Sequence, residues 1–236
     1  MGMGGGGQSS IFAGEPPVYY QTYVQRPKGL LSPEEKKNLA VAIVALTGAL
    51  TLVFSGGITG MLQQLQEDPW GLGYLLLVAF VSTATAFFLH EMSHKFVAQH
   101  YGCWAEFRYS QQGLLIALVL AAVAGFLFAA PGAVYIAGRI DKRQNGIISI
   151  AGPLTNVVVA VAAIPFLIMY SGTIVAGGFY TVIFFNSLLA IFNMIPAMPL
   201  DGAKVLKWNP AIYIVSLVAM GALMYYVWVY LVEFVA

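Results

Sequence analysis

Apolar residues in this chain come in long unbroken runs, not in the alternating or three-to-four-residue stripes of water-facing elements. Five runs fit membrane helices: about 38–56, 70–97, 146–170, 174–198 and 210–232. From Gln144 to Leu200 there is no charged residue. That stretch is too long for one crossing, and Ser171-Gly172-Thr173 supplies the break. A sixth apolar stretch, 113–137, is interrupted by Gly113, Gly125, Pro131 and Gly132. Ahead of these runs, residues 1–37 are polar and rich in Gly, Pro and Tyr, and are expected to form a flexible tail to a transmembrane domain over 38–236. Pro16-Pro17-Val18-Tyr19-Tyr20 could engage a partner, although a plain linker is the simpler reading. Ser32-Pro33-Glu34-Glu35 reads as a helix start, with Ser32 as N-cap, Pro33 at N1 and Glu35 at N3.

Composition supports the membrane reading. The 236 residues are 59% hydrophobic and 9% charged, against about 25% charged in a soluble domain, too few to cover a water-facing surface. The expected fold class is therefore an all-α polytopic membrane protein with five to six transmembrane helices. The single cysteine, Cys103, precludes an intrachain disulfide. No cleavable signal peptide is expected from Met1–Gln8, and Gly6 stands where a myristoylation signal needs Ser or Thr.

The positions of Lys and Arg bear on orientation. With the tail in the cytoplasm and 113–137 re-entrant, all 11 basic residues lie on one side. If 113–137 crossed fully, Arg139, Lys142 and Arg143 would move to the other side. The charge pattern therefore favours five crossings plus a re-entrant, hairpin-like segment. Backbone of that kind needs protein or a watery cavity around it.

The candidate chemistry begins at His90-Glu91-Met92-Ser93-His94. Histidines four apart share one helix face, with Cβ atoms about 5–6 Å apart, so two neutral imidazoles can bind one Zn²⁺. Glu91 beside them can take a proton from water. Two core histidines and a buried glutamate would be the plainer reading in water. Here these ionisable groups end a charge-free run from Trp70 to Leu89, where such groups point to function.

A catalytic zinc site usually has three protein ligands. Glu106, Cys103 and His100 lie just beyond the helix, and Asp141 sits in a basic loop. Asp201 closes the long uncharged run within Asn193-Met194-Ile195-Pro196-Ala197-Met198-Pro199-Leu200-Asp201-Gly202. The prolines break the helix and Gly202 permits a tight turn. Pro-x-Asp-Gly alone would read as a turn closing a span. Beside a zinc motif lacking a ligand, Asp201 is the preferred third ligand.

These residues resemble the site-2 protease family of intramembrane zinc metalloproteases, especially its archaeal and bacterial members. His90-Glu91-x-x-His94 matches the family's zinc motif, and Asn193-x-x-Pro196-x-x-Pro199-x-Asp201-Gly202 matches its second motif. Ala151-Gly152-Pro153-Leu154-Thr155-Asn156 looks like its Gly-Pro segment on a central helix. The likeness covers about 70–210. The stretch between the zinc motif and the Gly152 helix is longer and more apolar than the family's short strand-forming segment. The resemblance implies one zinc ion held by His90, His94 and Asp201, Glu91 as general base, and transmembrane protein substrates cut by regulated intramembrane proteolysis. Asn193 and Asn156 are candidates to donate hydrogen bonds to substrate backbone or oxyanion. An unwound substrate could pair with a strand edge in the 105–138 hairpin, where Pro131-Gly132 suits a turn and Tyr135 and Ile136 suit a strand.

Two other classes compete. A transporter or channel with a structural metal would explain broken helices, though not a glutamate between two ligands. An inactive relative binding membrane partners would not need both motifs and the base intact. A prokaryotic plasma membrane, with a cytoplasmic N-terminus and a site near the cytoplasmic face, suits one cysteine and basic loops. No nucleic-acid partner is expected, and the oligomeric state is left open.

Overall fold

A computed structural model describes residues 30–127 and 131–234. The expected tail, including 16–20, lies almost wholly outside the described residues. Helix α1 (Pro33–Phe54) starts as the sequence predicts: the Ser32 hydroxyl accepts from Glu35 N–H at 3.1 Å, and Pro33 occupies the first turn. Then follow α2 (Gly57–Glu67), α3 (Pro69–Thr83), a π-helical turn (Ala84–Phe88), α4 (Leu89–His100), β1 (Trp104–Tyr109), α5 (Gln111–Ala124) and β2 (Gly132–Ala137). The chain ends in α6 (Lys142–Met169), α7 (Ile174–Asn193), α8 (Asp201–Trp208), α9 (Pro210–Val229) and a short 3₁₀ turn.

Five helical segments among the described residues are long and apolar enough to cross a membrane: α1, the continuous rod Pro69–His100, α6, α7 and α9. They match the five expected crossings, and the chain is an all-α multi-pass membrane protein with one small sheet. Its outer faces are apolar, as lipid requires: Val158, Val161, Ile214, Val215 and Val218 are half or more exposed. Inside, small residues allow close approach, with Ala160, Ala163 and Ala176 packed where α6 meets α7. Between the first two crossings lies α2, whose Ile58, Leu62 and Leu65 form an exposed apolar stripe beside Gln63, Gln64 and Glu67. That pattern suits a helix lying in the membrane interface.

The 113–137 segment is re-entrant. Tyr109 pairs with Gly132 in the antiparallel β1–β2 ladder, and Ser110 N–H donates to the Pro131 carbonyl at 2.8 Å. The two ends of the excursion therefore meet on one side. Between them α5 climbs along α1, with Leu114, Ala117 and Ala121 buried, until the Ala122 carbonyl reaches Gly57. Its 14 residues span about 21 Å, too short to cross a core of about 30 Å.

A buried polar cluster fixes the sheet. Glu35 and Lys95 are both fully buried and ion-paired, joining α1 to the zinc-motif helix. The other Glu35 oxygen accepts from Phe107 N–H at 3.0 Å, and Asn38 Oδ1 accepts from Tyr109 N–H at 3.2 Å. Lys95 was expected among the basic residues marking one membrane face. Its ammonium turns inward instead, because the carboxylate of Glu35 waits there. Such a pair adds little net stability over an apolar one, but removing one partner strands the other at a cost of about 3–5 kcal/mol.

Candidate active site

His90, Glu91 and His94 sit on α4, directly after the π-turn that ends α3. Counting from Pro69, His90 lies about 30 Å along the rod, near the far end of a crossing. Asp201 is the first residue of α8 and arrives from the other direction. Helix α7 stops at Asn193, and a turn-rich stretch through Pro196 and Pro199 leads back to the site. Gly202 makes that return possible: a Cβ there would lie 2.2 Å from the Met194 carbonyl oxygen.

The three side chains converge. Asp201 Oδ2 lies 3.5 Å from His90 Nε2 and 3.1 Å from His94 Nε2, and the two Nε2 atoms are 3.0 Å apart. All three residues are buried, and among the described residues they form the cluster able to hold a metal ion. The other ligand candidates lie outside this cluster: Glu106 pairs with Arg108 at 2.6 Å, and Cys103 is buried against Ala98 and Ile148. Asp141 Oδ1 accepts from Gln144 N–H at 2.7 Å, and His100 is exposed beside Tyr101.

The imidazole tautomers follow from their outer partners. His94 Nδ1 lies 2.7 Å from the Ile148 carbonyl oxygen, which can only accept, so Nδ1 carries the proton. His90 Nδ1 lies 2.8 Å from Asn156 Oδ1. The Asn156 amide is oriented by Nδ2, which donates to the π-turn carbonyl of Ala86 at 2.9 Å. Neutral rings so held turn two Nε2 lone pairs toward each other and toward a carboxylate, an arrangement that asks for a cation. Gly152 of α6 leaves the room: a Cβ there would fall 2.5 Å from His94 Nε2 and 2.6 Å from His90 Nε2. Two nitrogens and one carboxylate oxygen are the donors zinc prefers.

Asn156, a candidate substrate donor, is corrected to another place. It is fully buried behind His90, its amide engaged with His90, Ala86 and Asn186, so it orients a ligand and does not face substrate. Asn156→Leu is expected to lower zinc affinity about 10- to 100-fold, as read by chelator competition. Asn193 does line the site cavity, with its Nδ2 donating to the Leu189 carbonyl at 3.0 Å. Asn186 went unnoticed in the sequence, although an amide in the middle of the uncharged α7 helix was a usable signal. Its Nδ2 donates to Thr85 Oγ1 at 3.1 Å, extending the network into the π-turn.

His90, Glu91, His94, Asn193 and Asp201 wall a cavity of about 280 Å³. Gly132, Val134 and Ile136 of β2 form another part of its wall. Phe107 and Tyr109 N–H groups point away from β2, toward Glu35 and Asn38. Their ladder partners Val134 and Gly132 therefore turn their own backbone groups to the free edge of β2, on the cavity side.

This architecture is a metalloprotease centre carried on membrane helices, and comparison with known proteins agrees. The chain is 42% identical over 158 residues to MJ0611 of Methanocaldococcus jannaschii, provisionally named a zinc metalloprotease, covering 64% of this chain and 81% of that protein. The zinc metalloprotease MJ0392 of the same organism is 30% identical over 141 residues, 58% of this chain but only 34% of the relative. YwhC of Bacillus subtilis, also provisionally named a zinc metalloprotease, is 29% identical over 155 residues, 57% of this chain and 68% of that one. The chain belongs to the site-2 protease family of zinc metalloproteases, and zinc is its cofactor. No family model matches it, and no solved structure does.

Proposed function

We propose that this protein is an intramembrane endopeptidase that cuts transmembrane-helix substrates, with His90, His94 and Asp201 holding one zinc ion and Glu91 acting as general base. The observation that carries the reading is the convergence of these four residues on a cavity at the end of a membrane-spanning rod, facing an open strand edge. When bound, zinc supplies Lewis acidity toward the scissile carbonyl and toward water. The Glu91 carboxylate accepts a proton as the water oxygen bonds to the carbonyl carbon, and returns it to the leaving amine as the C–N bond breaks. Asn193, on the cavity wall, is the residue placed to donate toward the developing oxyanion.

A membrane helix hides its peptide bonds in its own hydrogen bonds, so it must unwind before attack. The free edge of β2 offers the opened segment new partners at Gly132, Val134 and Ile136. Ile136→Pro removes an N–H that the β1–β2 ladder does not use. It is expected to raise KM several-fold while leaving zinc content and helix content unchanged; deletion of 125–135 with cleavage unaltered would sink the strand-pairing idea. The remaining basic residues support a reading in which the N-terminus and the site lie toward the cytoplasmic face, with a plasma membrane as the proposed location. The decisive test is to reconstitute the zinc-loaded chain with a membrane-helix substrate and map the products by mass spectrometry. Cuts within the apolar segment support the reading, and cuts confined to soluble loops overturn it.

A further inference from the structure

We propose that a pocket of lysines adjoining the metal centre binds acidic side chains that flank the cleaved bond of the substrate. The inference rests on the proteolytic reading and names a substrate feature for it. Lys142, Lys204 and Lys207, with Asn145 and Met198, line a second cavity of about 350 Å³. Lys204 and Asn145 also line the site cavity, so the two spaces share a wall. Lys204 and Lys207 are three apart on α8 and face the same way, while Lys142 is the first residue of α6.

No Asp or Glu lines this second cavity. Lys204 Nζ lies 3.4 Å from Asp201 Oδ1, the carboxylate oxygen turned away from the imidazoles. Among the described residues, Lys142 and Lys207 have no ion-pair partner. Three like charges around one small space repel, and an anion between them relieves that repulsion. The position fits substrate: the cavity walled by Gly132, Val134 and Ile136 of β2 shares Asn145 and Lys204 with this pocket, so a chain paired along β2 lies next to it.

Lysines also collect on one membrane face for reasons of topology alone, and there they meet anionic lipid headgroups. These lysines differ in surrounding a cavity that shares a wall with the site cavity. The test uses the zinc-loaded full chain in vesicles of phosphatidylcholine, alone or mixed with phosphatidylglycerol. Three membrane-helix substrates differ only in carrying two Asp, two Asn or two Lys beside the cleaved bond. The expected result is a kcat/KM roughly threefold to tenfold higher for the Asp substrate in both vesicle types. The preference should vanish in Lys142→Gln/Lys207→Gln and turn toward a Lys-flanked substrate in Lys142→Glu/Lys207→Glu, with zinc content showing that each variant is folded. Equal cleavage of the Asp and Asn substrates by the wild type overturns the inference and leaves the proteolytic reading standing. A loss in the variants that is equal for all substrates, and seen only with phosphatidylglycerol, assigns the lysines to lipid and also overturns it. No cleavage of any substrate overturns both.

Discussion

Glu91→Gln is expected to keep its zinc and lose peptide hydrolysis by about 10²- to 10⁴-fold, the usual worth of a positioned general base. The amide matches the carboxylate in size, and Glu91 is not among the three atoms gathered for the metal, so the ligand set stays intact. What the amide lacks is a site for a proton. Measuring bound zinc and product formation on the same preparation separates the two effects. Zinc retained with cleavage abolished assigns the proton transfer to Glu91. Cleavage equal to wild type removes it from that role, and loss of zinc as well would make it a structural residue of the centre.

Gly152→Ala should have the second largest effect, through a single methyl. That carbon would stand 2.5 Å from His94 Nε2 and 2.6 Å from His90 Nε2, inside contact distance of both ligand atoms. The rings cannot step back cheaply, since Ile148 and Asn156 hold their far nitrogens at 2.7 and 2.8 Å. Either the methyl stays and those hydrogen bonds break, or α6 moves away from α4 and the ligand atoms separate. Zinc affinity is expected to fall at least about 100-fold, with cleavage falling alongside it. The helix itself loses nothing, because Ala is a better helix former than Gly by about 1 kcal/mol. Circular dichroism should therefore be unchanged while a chelator strips the metal. A Gly152→Ala protein that holds zinc like the wild type would show that the space beside the ligands is not needed.

The two motifs that converge were legible in the sequence because lipid makes any ionisable group at depth conspicuous. The His90–His94 spacing is local to one helix, and Asp201 ended an uncharged run. The five crossings were legible because every lipid-facing surface must be apolar. The re-entrant segment could be favoured from charge placement but not shaped: its closure depends on Tyr109 meeting Gly132 across a helical excursion. Least legible was the support around the site. Asn156 meets His90 across 66 residues, Lys95 meets Glu35 across 60, and Asn186 reaches Thr85 across 101. Each is a polar side chain whose partner is set by which helices touch, and no periodicity within one helix records that. Lys95 shows how this misleads, since as a letter it votes for a membrane face and as a side chain it closes an internal pair. The helical character of 57–67 and 201–208 was hidden by brevity and by Gly and Pro nearby.

The way Glu35 and Asn38 cover β1 has a consequence for what the enzyme can take in. A two-stranded ribbon has two sides on which another strand can join. One of them is filled by side chains of α1, and the other opens only inside the cavity that holds Glu91. On the proposed proteolytic reading, the cavity-side edge of β2 is the place left for an extended segment to pair, which makes prior unwinding of the substrate a requirement.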